Sequence, residues 1–301
     1  MEMIDKLIKR IRETKNPSVI GLDTRIDFLP DNLRQNVKSL SDAGKAILEF
    51  NKAIVDQIKD IVPAVKVQIA CYEALGIAGM KAFAGTVKYA RKSGMVVIAD
   101  AKRNDIGSTA EDYSTAFLGK HSLGKSEFSS DFLTVNGYLG FDGIKPFAED
   151  CKKNKKGIFV LVKTSNPSGV ELQNKTLADG KKVYEQMAEL VNAWGADTIG
   201  KYGYSNVGAV VGATYPEEAE RLRKAFPSMF FLVPGYGAQG GTAADAAVNF
   251  DANGLGAIVN SSRAILTAYK KDKYKGLSFD QAAREAAFEM KEDLGKFVRV
   301  F

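Results

Sequence analysis

Opposite charges gather in one short stretch of this chain, Asp100-Ala101-Lys102, with Asp105 a little further on. Alternate side chains of a β-strand share a face, so a strand ending there would present Asp100 and Lys102 together and turn Ala101 away. An ammonium among carboxylates is favoured in its charged form. A fixed cation of that kind can offset negative charge that develops on a ligand. Imine chemistry needs the reverse, a neutral lysine that is desolvated or set beside another cation. Lys163, with no acidic neighbour in sequence, is the better candidate for that role. Asp23 closes the apolar run SVIGLD, and Lys66 interrupts the run AVKVQ. Taken alone, Asp100 and Lys102 also fit a structural ion pair, and Lys66 fits a lysine that buries its stem and extends its head to a rim.

A second constellation suits an anion. PGYGAQGGTAADA, residues 234–246, places four glycines and Thr242 before a helical stretch. Free backbone N–H groups and the positive end of a helix dipole would face a ligand there. Asn260-Ser261-Ser262-Arg263 adds hydroxyls and a guanidinium fork suited to phosphate. The single histidine, His121, lies in the polar stretch GKHSLGKS and reads as a solvated loop residue. One histidine excludes multi-histidine metal sites, and no other metal-ligand set or cofactor fingerprint is evident. Two cysteines, Cys71 and Cys151, cannot build a disulfide framework, so the expected compartment is the cytoplasm.

The elements that position these residues alternate regularly. Strands are predicted at Ser18–Asp23, Ala64–Gln68, Met95–Asp100, Phe132–Asn136, Ile158–Lys163, Val207–Gly212, Met229–Val233 and Ala257–Asn260. These runs are apolar at nearly every position, as strands covered on both faces must be. Helical spacing fills the gaps at Leu40–Ile61, Ala74–Lys92, Ala110–Leu118, Lys145–Lys153, Val183–Trp194, Pro216–Ala225, Ala243–Phe250 and Phe279–Phe297. Eight alternations predict an α/β fold, a (β/α)8 TIM barrel forming one domain over residues 1–301. A doubly wound sheet would carry G-x-G-x-x-G after its first strand, where this chain has Thr24. Insertions are expected after strand one (Thr24–Ser39), strand five (Thr164–Asp179) and strand eight (Leu266–Ser278). At the N-terminus, Met3, Ile4, Leu7, Ile8 and Ile11 mark one face of a packing helix rather than a signal peptide.

The chain has 301 residues, 45% hydrophobic and 26% charged, and its net charge of +6 suits an anionic ligand without calling for nucleic acid. KKNKK at 152–156 and KKDKYK at 270–275 read as solvated surface. No segment approaches the roughly 18–20 apolar residues that cross a bilayer. Barrel enzymes work at the carboxyl ends of their strands and hold phosphate after strands seven and eight. The two constellations should therefore share one barrel mouth.

The decapeptide DAKRNDIGST, residues 100–109, resembles the D-x-K-x-x-D-I-x-x-T signature of the orotidine 5′-phosphate decarboxylase family. GLD at 21–23, VKVQ at 65–68, TSNPSG at 164–169, PGYGAQGG at 234–241 and Arg263 extend the likeness along the chain, in the manner of the family's longer members. The resemblance implies decarboxylation of orotidine 5′-phosphate to UMP, the last step of de novo pyrimidine synthesis, without metal or cofactor. It implies that Asp23 and Lys66 hold the ribose, that Asp100 sits against the orotate carboxylate and that Lys102 donates the proton. Ser165 would read the pyrimidine amide, Gln239 and Arg263 would hold the phosphate, and Pro234 would line the same wall. Asp105, Ile106 and Thr109 would enter the neighbouring subunit's site, making the enzyme a homodimer. Loss of CO2 from C6 leaves a carbanion with no simple route to delocalisation, and other decarboxylases supply an electron sink for such a charge. A caged lysine would have to do that work here. A related barrel enzyme acting on a sugar phosphate is the alternative; it normally places an acidic metal ligand near the end of strand two, where this chain has Lys66 and Gln68.

Overall fold

The structure, a computed structural model, describes residues 1–301. Its eight barrel strands are β1 (Ser18–Gly21), β2 (Ala64–Gln68), β3 (Val96–Arg103), β4 (Phe132–Val135), β5 (Gly157–Lys163), β6 (Val207–Val211), β7 (Phe231–Val233) and β8 (Ala257–Ser261). They close in the order β1-β8-β7-β6-β5-β4-β3-β2, and every neighbouring pair is parallel. The expected (β/α)8 barrel is the observed architecture.

Alternation along the strands divides the core in two. Val65, Val97, Leu133, Val160, Val207 and Val259 face the helices in one large apolar cluster. Val19, Ala64, Ile98, Phe132, Phe159, Leu232 and Ile258 fill the barrel interior. The five apolar residues of the N-terminal helix Met3–Thr14 join that inner cluster and seal the amino-terminal end. Ile4, Leu7, Ile8 and Ile11 are wholly buried, each contributing about 1.5–3 kcal/mol of apolar burial.

Most expected helices are present, with shifted ends. Gly76 adopts φ +59, which separates a short helix, Ala70–Glu73, from the long one, Gly76–Lys92. The helix expected from Lys145 begins at Phe141 and carries Pro146 inside it. The helix expected to reach Phe250 stops at Ala247. Pro216 opens its helix, and Thr242 caps the next one in a box with Asp245. Short helical turns occupy the segments following β1, β5 and β8. A two-residue hairpin, Lys120–His121 with Gly124–Lys125, lies where only loop was expected.

Two strands are irregular: the pairing of β5 with β6 shifts between Leu161 and Lys163, and β3 departs further. It runs to Arg103, three residues past its expected end, and its pairing with β4 breaks between Ala99 and Arg103. Within that break Lys102 takes the left-handed conformation at φ +48. A non-glycine residue there costs roughly 1–2 kcal/mol, and bulges of this kind commonly re-aim a side chain.

Candidate active site

Inward-facing positions change character along each strand. β2 reads Ala64, Lys66, Gln68; β3 reads Ile98, Asp100, Lys102; β4 reads Phe132, Thr134; β8 reads Ile258, Asn260. The barrel is therefore apolar below and polar at its carboxyl end, and the polar layer converges on Asp100. Its Oδ1 accepts from Lys102 Nζ at 2.6 Å and from Thr134 Oγ1 at 2.8 Å. Its Oδ2 accepts from Lys66 Nζ at 2.7 Å and from Gln68 Nε2 at 3.0 Å. Four donors saturate the four lone-pair sites of a carboxylate, so the orientation of Asp100 is fixed. Thr134 also accepts from the Lys102 backbone N–H at 3.0 Å, bracing the left-handed turn. Lys66 reaches on to Asp23 at 3.5 Å, which completes a chain of alternating charge from β1 to β3.

Burial separates the two lysines. The Lys66 side chain is 5% exposed and that of Asp100 9%, whereas Lys102 is 45% exposed and open to the cavity. Burial works against the Lys66 ammonium, but Asp100 and Asp23 overcome it and hold its pKa above the ordinary lysine range. Burial likewise opposes the Asp100 carboxylate, and Lys66 with Lys102 holds its pKa well below the usual carboxylate range. Lys66 and Asp100 are thus locked in their charged forms at neutral pH, and the group of this cluster with access to a ligand is the Lys102 amine.

The cluster opens into a cavity of about 590 Å³ at the barrel mouth. Asp23, Lys66, Asp100, Lys102, Ser165, Pro234, Gln239 and Arg263 line it, all of them singled out from the sequence. In the strand order, β7 and β8 lie across the barrel from β3, so the loops carrying Gln239 and Arg263 face the charge cluster over the cavity. Two glycines admit the lining side chains. A Cβ on Gly21 would fall 1.9 Å from Ser262 Oγ, and one on Gly212 would fall 2.8 Å from the Ser165 backbone.

In the glycine-rich loop, Gly237, Ala238, Gln239 and Gly240 are exposed, while Gly241 is buried and its N–H donates to the Gly235 carbonyl. The Tyr236 hydroxyl, which sequence left without a role, donates to Asp293 at 2.8 Å and ties this loop to the C-terminal helix. Ser261 and Ser262, whose hydroxyls the sequence offered to an anion, line the cavity. So does Asn260, whose buried Oδ1 has no hydrogen-bond partner within the chain.

Sequence reasoning gave Gln68 no role of its own and passed over Thr134, both ligands of Asp100. The available signal was a lone polar residue at an inward position of an apolar strand. Asp105, Ile106 and Thr109 do not line this chain's cavity. Asp105 accepts from the Ile106 N–H, and Ile106 is 57% exposed. Lys163, the imine candidate, is also absent from the cavity. It is buried between the rings of Tyr215 and Tyr184, 3.9 and 5.4 Å from their centres, and donates to Asn174. His121 is exposed on the hairpin, and burial pushes the Cys71 thiol pKa up, away from an activated thiolate. No three His, Cys, Asp or Glu side chains group as a metal would require.

Comparison with known proteins gives one answer. The chain is 44% identical over 300 residues to an orotidine 5′-phosphate decarboxylase from Rhodopirellula baltica, covering 98% of this chain and 99% of that one. It is 42% identical over 290 residues to one from Clostridium perfringens, covering 96% and 97%. The Leishmania donovani OMP decarboxylase structure superposes with a TM-score of 0.76 at 27% identity, covering 99% of each chain. Residues 4–275 match the family described as Orotidine 5′-phosphate decarboxylase / HUMPS. With that match spanning nearly its whole length and its strand-end residues gathered in one cavity, the chain belongs to this family.

Proposed function

We propose that this protein decarboxylates orotidine 5′-phosphate to UMP and CO2, a carbon–carbon lyase reaction in pyrimidine nucleotide synthesis, with Lys102 as its proton donor. The observation that carries the assignment to Lys102 is its half-exposed ammonium, fixed on Asp100 and facing a cavity whose far side offers Gln239 and Arg263. The substrate phosphate binds Gln239, Arg263 and the glycine-rich loop, with Pro234 on the same wall. Asp23 and Lys66 hold the ribose, Ser165 reads the pyrimidine amide, and Asp100 lies against the departing carboxylate. As the C6–carboxylate bond breaks, its electron pair stays on C6 and CO2 leaves. Lys102 stabilises that charge and gives C6 a proton, and the neutral amine regains one from water. Binding energy from the remote phosphate closes and desolvates the reacting end. Nothing favours the sugar-phosphate alternative.

Direct observation of ultraviolet absorbance tests both the reaction and its independence of metal. Orotidine 5′-phosphate absorbance should fall on adding the protein, at the same rate with and without EDTA. No fall would end the functional reading. A loss in EDTA that divalent ions restore would end the metal-free mechanism.

The same reading makes the enzyme a homodimer in which Asp105, Ile106 and Thr109 enter the partner's site. Support comes from the exposure of Ile106, an apolar side chain left open to solvent beside the cluster. Co-expressed Lys102→Ala and Asp105→Ala chains should recover about a quarter of native activity, since random pairing of a two-fold dimer leaves one intact site in each mixed dimer. Failure to exceed the activity of either variant alone would put Asp105 to work within its own chain. No helix is long and apolar enough to cross a membrane, and we place the enzyme in the cytoplasm.

A further inference from the structure

The amino-terminal end of the barrel carries a second cavity, of about 690 Å³. Lys6, Lys81, Lys88, Arg91, Lys92 and Lys125 line it, with Glu127 as the one acid. Three separate elements supply these cations: the N-terminal helix, the helix Gly76–Lys92 and the Lys120–Lys125 hairpin. On the long helix Lys81, Lys88 and Lys92 fall at i, i+7 and i+11, a single stripe. Only Lys6 and Arg91 reach a carboxylate, that of buried Asp131, at 3.7 and 3.5 Å. The other four ammonium groups have no acidic partner, and the concentration of charge far exceeds what the chain's mild net charge requires.

We infer that this basic cavity is a second ligand site, remote from the reaction, that binds a chain of phosphates such as a tripolyphosphate group. Several cations converging on a bounded concavity suit a compact polyanion. The lining holds two apolar residues, Ala84 and Val87, and no aromatic ring, so nothing is offered for a base to stack upon. That favours the phosphate chain over a nucleic-acid strand. The same cations also act on a buried neighbour. Lys156, buried with its ammonium donating to the Ser130 carbonyl, has its pKa pushed down to about 8. Burial is the main cause; Asp131 opposes it, and Arg91, Lys125 and Lys6 add to it.

Calorimetric titration with inorganic tripolyphosphate tests the site, with UMP in excess to occupy the barrel mouth. Saturable binding of one tripolyphosphate per chain is expected, with a nucleoside triphosphate binding about equally and a nucleoside not at all. Lys88→Glu combined with Lys92→Glu should weaken binding about tenfold or more. A control with the same charge change, Lys152→Glu with Lys153→Glu, should leave it unaltered. Both variants should keep native turnover, because neither touches the catalytic cavity. Absence of saturable binding, equal weakening by the control, or tighter binding of a single-stranded oligonucleotide would each overturn the inference.

Discussion

Lys102→Ala should lower turnover of orotidine 5′-phosphate by about 10⁴-fold or more while leaving the barrel folded. The large loss follows from the double use of one group, since on the proposed mechanism the amine both offsets charge at C6 and supplies the proton. The mild structural effect follows from exposure. Nearly half of the Lys102 side chain faces the cavity, and its removal leaves Asp100 with three donors, Lys66, Gln68 and Thr134. Alanine inherits the left-handed backbone, so strain in β3 is unchanged. Gln239 and Arg263, the proposed phosphate ligands, are untouched, so kcat should carry the loss and KM should move little. Steady-state kinetics and a thermal melt on the same preparation check both halves. Turnover within about tenfold of native, with the fold intact, would remove Lys102 from the chemistry.

How much of this site could be read beforehand depended on how local the signal was. The barrel was legible because runs such as MVVIAD and IFVLVK suit strands covered on both faces, and because their eightfold alternation with helices, without G-x-G-x-x-G after the first strand, separates a barrel from a doubly wound sheet. Asp100 and Lys102 were legible for the same reason, as charges interrupting a run that should stay apolar. Thr134 was not, because a threonine suits a strand on propensity alone, and only the closed barrel turns it toward Asp100. The bulge at Lys102 was equally hidden. Nothing in AKR marks a left-handed residue, and the pairing break arises between two strands some thirty positions apart. Lys163 was misleading in the opposite sense. It follows an apolar strand just as Lys102 does, but the register shift between Leu161 and Lys163 accompanies its burial among tyrosines outside the cavity. The basic cavity escaped notice because its cations come from residues 6, 81–92 and 125, too dispersed to form a charge run.

Lys66→Met should cost about 3–5 kcal/mol of stability at neutral pH, the ordinary result of removing one partner from a buried ion pair. Methionine nearly preserves volume, so the loss reflects charge rather than a cavity. Asp100 would remain buried with one cation in place of two, and Asp23 would lose its ammonium partner. Linkage gives the deficit a pH signature. In the native protein the low pKa of Asp100 contributes stability that is complete above its unfolded value of 3.8 and fades as pH falls toward the folded value. The raised pKa of Lys66 contributes stability that is complete below 10.5 and fades as pH climbs through the higher folded value. Native stability from the cluster should thus stay level between about pH 5 and 9. In the variant, the weaker field lets Asp100 take a proton at higher pH, which relieves its unbalanced charge. The stability gap between native and variant should therefore narrow as pH falls from 7 toward 4, as read by denaturant unfolding at each pH. A gap that holds constant or widens in acid would show that Asp100 is not the charge Lys66 balances, and the alternating chain from Asp23 to Lys102 would lose its central link.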